Sequence, residues 1–450
     1  MARRNKTRRK ILPPAPVTPR MDADVATEVG GAVGLVLWLR LRDVVLWARV
    51  PEGERKDLFG TVAPEHQEWE LEAASVDALT TAVRTLSALA RYPELVRGAD
   101  VANACSEIST WAMATEKRET GLHFAEAAAL ADPLNARLCA EAGSACVLAA
   151  AATPSNGDVD VRTRSADADR RAVIWFERGL RIGRWTEQWE WYIRCRIRAG
   201  MHAYELGDFR RAERAYRSAH STAVWRGFPD LAGKAHHDMM LIECAVGTYD
   251  RAESHLYGAL SNYPVHYQRL PHLAHDAAYM FVCWGAFKPA LALLDAVHPL
   301  IEKSTERIAV LGTIARAAAG VRDRPRHRDA VADVLLYAAL CEINAAAALV
   351  LAAEGALDFQ DWSRSAELAS YGLRLAEKRC EREPQRRAQR VLVYAADQKV
   401  PEYPSIQAER IQRTKVMVLD RLSKFRAPTD PDEARAPIRS ELTKFTMSAR

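Results

Sequence analysis

The chain is 450 residues long, 49% apolar, 27% charged and 8% aromatic, which excludes a disordered or membrane-embedded polypeptide and describes a soluble globular one. Its formal charge of +5 is gathered at one end: residues 1–20 hold Arg3, Arg4, Lys6, Arg8, Arg9, Lys10 and Arg20 with no acid, so the remainder is slightly acidic and a basic surface over the whole protein is excluded. The eight cysteines are scattered without a C-x-x-C pair, which excludes a dense disulfide framework and predicts reduced thiols in a cytoplasmic protein.

Residues 1–21 read as a basic, proline-rich, disordered arm, since "LPPAPVTP" blocks a helix and favours extended chain. Helices are predicted at about 22–50 and 64–91, within a capping segment that runs to residue 97. The apolar stretch "GAVGLVLWLRLRDVVLWARV" (31–50) is broken by Arg40, Arg42 and Asp43. It falls short of the roughly 18–20 uninterrupted apolar residues of a membrane span, so no transmembrane segment is predicted, and it reads as a packed helix. "GGAVG" (30–34) resembles part of a dinucleotide loop, but no strand precedes it.

From residue 98 the pattern is helical throughout. "TGLHFAEAAALADPLNA" (120–136) carries Gly121, Ala125, Ala128 and Pro133, and the next helix carries Gly143 and Cys146. A polar insert, "TPSNGDVDVRTRSAD", then separates it from a helix with Ala172, Phe176 and Gly179. In "RWTEQWEWYIRCR" (184–196) tryptophans alternate with arginines, which suits base stacking or, as favoured here, wedges between neighbouring helices.

In "ELGDFRRAERAYRSAH" (205–220) two helical faces meet at a Gly-Asp pair: Gly207 supplies the left-handed residue that ends one helix and Asp208 caps the next. The arrangement recurs as "VGTYDRAESHLYGALSNYP" and "WGAFKPALALLDAVHP", with turn glycines at 207, 247 and 285. Here the sequence resembles tetratricopeptide repeats, whose second-helix pattern G-x-[YF]-x-x-A-x-x-x-[FYL]-x-x-A it carries. The resemblance spans about residues 100–380 and is clearest at 190–300. Its glycine spacing of 40 and 38 residues exceeds the usual repeat of about 34, and the early-helix tryptophan is replaced by Arg196, His236 and Leu273.

The fold class implied is all-α, a right-handed superhelix (α-solenoid) of tetratricopeptide-like hairpins over 98–380, with N-terminal capping helices at 22–97, C-terminal helices at 381–426 and a flexible tail at 427–450. In the family it resembles, the first helix of each repeat lines a concave groove for peptides or protein segments. Counting back from the turn glycines places Arg194, Ile197, Arg198, Met201, Tyr204 and Glu205 there, then Lys234, His237, Asp238 and Leu241, then His272, His275, Asp276, Tyr279 and Cys283. The Lys and Asn pattern with which some relatives clamp a C-terminal carboxylate is absent.

The function this implies is a non-catalytic scaffold or adaptor for a protein or peptide partner, with no cofactor and no metal. A second reading is a nucleic-acid-associated or peptide-sensing regulator that reaches phosphates only through the basic arm, since residues 22–60 lack a polar recognition helix. A third is a metal-dependent phosphohydrolase, because "HHD" (236–238) and "AHD" (274–276) repeat a His-Asp pair; these pairs follow from the repeat register and lack further ligands at recognisable spacing.

Overall fold

The computed structural model describes residues 15, 24–56, 58–59, 64–152, 159–340, 343–379, 381–404 and 406–425. The basic arm, apart from Ala15, and the tail from residue 426 lie outside the described residues, as do Cys341 and Cys380. The described residues are helical without strands, and they divide into two compact units at Ala199–Gly200. Each unit has its own apolar core.

Unit 1 contains α1 (Asp24–Val29), α2 (Gly31–Arg49), α3 (Pro64–Ser75), α4 (Thr80–Arg91), α5 (Gly98–Ala114), α6 (Arg118–Ala131), α7 (Ala136–Ala152) and α8 (Val159–Trp185). The division falls within α9 (Trp189–Glu205), a break that sequence cannot signal because the helix continues through it. Helices α5 and α6 pair, as do α7 and α8, and α2 packs on α3, α4 and α6. The polar insert ahead of α8 is shorter than its sequence suggests, because its second half, from Val159, already belongs to the helix.

The apolar stretch at 31–50 is α2, a packed helix whose charged interruptions are paired inside the unit. Arg40 meets Asp43 at 2.7 Å, and Glu70 binds Arg91 at 2.6 Å. No helix among the described residues is long and apolar enough to cross a membrane. The start of α6 is capped from α1: the Glu28 carboxylate accepts from the Thr120 N–H at 2.8 Å and its hydroxyl at 2.6 Å. A negative charge at a helix N-terminus satisfies otherwise orphaned donors. Among the predicted tryptophan wedges, Trp191 packs against the core beneath Arg194, whereas Trp185 is exposed.

Unit 2 contains the remainder of α9, then α10 (Phe209–Arg226), α11 (Pro229–Val246), α12 (Tyr249–Asn262), α13 (Leu270–Cys283), α14 (Phe287–Val297), α15 (Ser304–Gly320), α16 (Arg324–Leu340), α17 (Ala345–Asp358), α18 (Trp362–Lys378), α19 (Arg382–Ala396) and α20 (Ala408–Ser423). The turns follow the predicted chemistry. Gly207, Gly247 and Gly285 adopt φ of 76°, 79° and 72°, and the Asp208 carboxylate accepts from the Arg211 N–H at 3.0 Å. Pro229 and Pro271 open α11 and α13, where a missing N–H costs nothing.

Small residues set the helix separation. A Cβ at Gly200 would stand 2.7 Å from the Tyr216 ring, and one at Gly312 would stand 2.5 Å from Ala348 Cα. At Gly200 an aromatic ring of the second helix fills the notch, and at Gly312 the first helices α15 and α17 meet at the close approach that tetratricopeptide-like hairpins require. The array α11 to α18 is a succession of such antiparallel hairpins. Helix α19 stacks on α17 and α18, and α20 returns to cover α13 and α14.

Candidate functional site

In unit 2 the C-terminal ends of first helices α11, α13, α15 and α17 converge with α19 on a mixed polar and aromatic cleft of about 310 Å³. Its rim includes Val246, Tyr249, Tyr279, Arg390 and Tyr394. Two arginines build its floor. Arg387 reaches from α19 to both carboxylate oxygens of Glu354, at 2.7 and 2.8 Å, and donates to the Tyr279 hydroxyl at 2.7 Å. Arg316 on α15 is 0% exposed, donates to Asp358 at 2.5 Å and lies 3.8 Å from Glu354. Planar guanidinium forks suit such bidentate pairing, and several pairs sharing Glu354 fix these helix ends relative to one another.

A ladder of polar side chains joins successive first helices further along. His237 on α11 donates from Nε2 to Asp276 on α13 at 2.7 Å, while its Nδ1 accepts from the Tyr263 hydroxyl at 3.2 Å. His275 donates from Nδ1 to the other Asp276 oxygen at 2.9 Å, and its Nε2 lies 3.1 Å from Thr313 Oγ1 on α15. Burial pushes the Asp276 carboxyl up, but the hydrogen bonds and electrostatic attraction of His237 and His275 together outweigh it and hold the group well below the usual carboxylate range.

This geometry assigns different work to the sequence-predicted groove residues. His237 and Asp238 are 3% and 6% exposed, so a partner in the cleft does not reach them. Asp238 pairs with Lys234 and His272 pairs with Glu306 at 3.1 Å. Leu241 packs on the core and Tyr204 lies 5.4 Å from the Phe209 ring. Arg194 and Arg198 belong to unit 1, where Arg194 pairs with Glu190 at 2.9 Å and Arg198 donates to the Ala140 carbonyl at 2.7 Å. Met201 is exposed on α9, and Tyr279 is the predicted residue that lines the cleft together with Cys283. The reason is steric: a first helix packed on both sides leaves only a narrow stripe open, and the middle of that stripe is closed by the ladder.

The repeated His-Asp pairs also part company. Asp276 spends both oxygens on histidines, Asp238 serves Lys234, and His236 turns to another cluster. No group of three or more His, Cys, Asp or Glu among the described residues is placed to hold a metal ion.

The sequence reading missed Arg316, Glu354, Arg387, Arg390 and Tyr394. One signal was "QRRAQR", whose Arg386, Arg387 and Arg390 repeat at helical spacing.

The other cluster joins α10, α11 and α12. The His220 and His236 rings lie 4.3 Å apart between centroids, and His236 Nδ1 stands 3.0 Å from His255 Nδ1. The His236 ring fills the space above Gly258, where a Cβ would approach to 2.7 Å. Burial, then repulsion from His220 and His255, lowers the His236 imidazole to about 4, and burial lowers His220 and His255 as well, with Glu213, Glu243, Arg217 and Arg251 facing His255. All three are therefore held neutral in the folded state, and their stabilisation is complete above the ordinary imidazole value near 6.5. As pH falls from there toward about 4 the unfolded chain takes up protons first and that stabilisation is lost. Urea midpoints at pH 7.5 and 5.0 are expected to differ more for the wild type than for His236→Gln; an equal pH dependence would show that the cluster is not held neutral.

No family model and no curated protein matches this chain. Among solved structures, a circular tandem repeat protein with novel repeat topology and enhanced subunit contact surfaces is 14% identical, covers 94% of this chain and 100% of its own, and has a TM-score of 0.24. The TPR domain of P58(IPK) is 13% identical, covers 74% of this chain and 98% of its own, and has a TM-score of 0.20. The tetratricopeptide-like architecture rests on the hairpins, turn glycines and notches described above.

Proposed function

We propose that the chain is a non-catalytic scaffold or adaptor that binds a protein or peptide segment on the concave side of unit 2, at the cleft formed by α11, α13, α15, α17 and α19. The observation that carries this reading is the make-up of the cleft: tyrosines and a solvated arginine around a floor whose charges are already neutralised in pairs. Tyrosine offers apolar area with a polar tip at low entropic cost, and exposed arginine pairs with partner carboxylates or carbonyls, the composition of interface hot spots.

Affinity capture from a nuclease-treated lysate of the native source tests it with three versions of the full protein: wild type, Val246→Glu with Arg390→Glu, and a form lacking residues 1–20. Both substituted side chains are exposed on the cleft rim, so the fold is expected to persist. A protein retained by the wild type and the armless form but lost with the rim variant is the expected result. Capture that ignores the rim and disappears with the arm would move function to the basic segment, and steep salt dependence would accompany it.

A further inference from the structure

Between α19 and α20 the chain runs as a non-helical strap past the α13–α14 and α11–α12 turns, described at residues 399–404 and 406–407. Helix α19 ends where Gln398 turns left-handed at φ 55°, and the Lys399 N–H donates back to the Tyr394 carbonyl at 2.9 Å. Half-buried Pro401 and Tyr403 then alternate with exposed Val400, Glu402 and Pro404, the two-residue period of an extended ligand laid on a surface.

Tyr403 is the anchor. Its ring meets Phe287 edge-on at 5.1 Å between centroids, and the Arg316 guanidinium lies over both rings, 4.7 Å from Phe287 and 5.4 Å from Tyr403. The backbone comes so close that a Cβ at Gly285 would stand 2.8 Å from the Tyr403 Cβ. That turn therefore needs glycine twice, for its φ of 72° and for this approach.

The strap nevertheless sits lightly. Beyond the Lys399 bond to Tyr394, no backbone hydrogen bond among the described residues joins it to the helices, and Tyr403 and Ile406 pack it in place. It also underfills its surroundings. The 310 Å³ cleft lies against Pro401, Glu402 and Tyr403, and a second cleft of about 670 Å³ lies between Pro404, Ile406 and Gln407 and the α11–α12 turn. A peptide with the same anchor and larger flanking side chains buries surface that the strap leaves open.

We infer that the strap stands in for a partner: the α13–α14 and α11–α12 turns form a docking surface for an extended segment of another protein that carries tyrosine followed by proline, as Tyr403-Pro404 does, and this segment binds by displacing residues 400–404 and Ile406. The corner formed by the stacked Phe287 ring and Arg316 guanidinium receives a ring edge-on to Phe287 and under the cation, which suits an aromatic anchor such as tyrosine. A residue that precedes proline is driven into extended backbone, so a Tyr-Pro peptide arrives in the shape the surface accepts. This inference rests on the reading of the cleft as a peptide site and supplies the chemistry of its ligand.

The test is fluorescence anisotropy with a labelled synthetic peptide, VPEYPSIQ, titrated with three full-length proteins: wild type, Tyr403→Ala, and a form whose residues 400–406 are replaced by glycine and serine at equal length. Both altered proteins are expected to bind the peptide, and the wild type to bind about tenfold or more weakly, because its site is open only for the fraction of time the strap is released. The same peptide with alanine for tyrosine is expected to bind none of them. Altered proteins that keep the wild-type circular dichroism but ignore the peptide would overturn the inference, as would equal binding to all three. Wild-type dimers that form by exchanging straps, seen by sedimentation, would also overturn it by making a second copy the occupant. Loss of capture on the Val246→Glu, Arg390→Glu rim with no peptide binding would sink the Tyr-Pro inference and leave the cleft standing.

Discussion

Arg316→Met is expected to lower the unfolding free energy by about 3–5 kcal/mol, the range for removing one partner of a buried ion pair. The guanidinium is fully buried and faces Asp358 at 2.5 Å, with Glu354 at 3.8 Å and two aromatic rings stacked against it. Methionine fills a similar volume but leaves the Asp358 carboxylate, itself 5% exposed, without its cation. Most of the loss comes from that stranded charge rather than from the missing contacts. The double variant Arg316→Met, Asp358→Leu is therefore expected to recover more than half of it. Urea unfolding followed by circular dichroism measures both, and a single-variant loss under about 1 kcal/mol would mean that the pair is solvated.

Arg171→Met is expected to have an effect of the same size, about 3–5 kcal/mol, in unit 1. Glu126 on α6 is 1% exposed and accepts from Arg171 Nε at 2.9 Å and from Trp175 Nε1 at 2.8 Å, both on α8. Burial pushes its carboxyl upward against the pull of Arg171. Without the guanidinium the carboxylate stays in an apolar core with the indole N–H and the Cys146 thiol, 3.7 Å away. Its carboxyl is then pushed further up, so acidification from pH 8 to pH 5.5 is expected to cost the variant less stability than it costs the wild type, opposite in sense to the contribution of the histidine cluster of unit 2. Denaturant midpoints at the two pH values decide it, and a variant that loses as much stability on acidification as the wild type does would contradict the assignment.

Much of the hairpin array was legible because its signals are local. Gly207 and Asp208 act within one turn on backbone groups that any helix end leaves unsatisfied, so their chemistry is readable without knowing what packs nearby. The same holds for Gly247 and Gly285. The stretch at 31–50 was readable as a packed helix because Arg40 and Asp43 interrupt it, and they prove to be each other's partners.

The cleft was less legible because its residues are brought together across long separations. Arg387 and Tyr279 lie 108 positions apart, and Tyr403 reaches Phe287 from a segment with no helical or strand period of its own. Counting back from the turn glycines places the candidates on first helices but treats every inward position as open. His237 and His275 occupy equivalent register, yet both bind Asp276, one from α11 and the other from beside it on α13, which a single-repeat template does not anticipate. Arg316 within "IARAAAG" was the overlooked clue: an arginine amid alanines on a buried helix requires a carboxylate partner, and that partner lies 42 residues on.

The most direct test of the central claim is amide hydrogen exchange on the full-length protein with and without the protein partner recovered by capture. Binding on the concave side of unit 2 predicts added protection at the C-terminal ends of α11, α13, α15 and α17 and in the first turns of α19, with faster exchange in the strap at 399–407 as it is released. Protection confined to α16 and α18, or to residues 1–20, with the helix ends around Tyr279 and Glu354 unchanged, would contradict it.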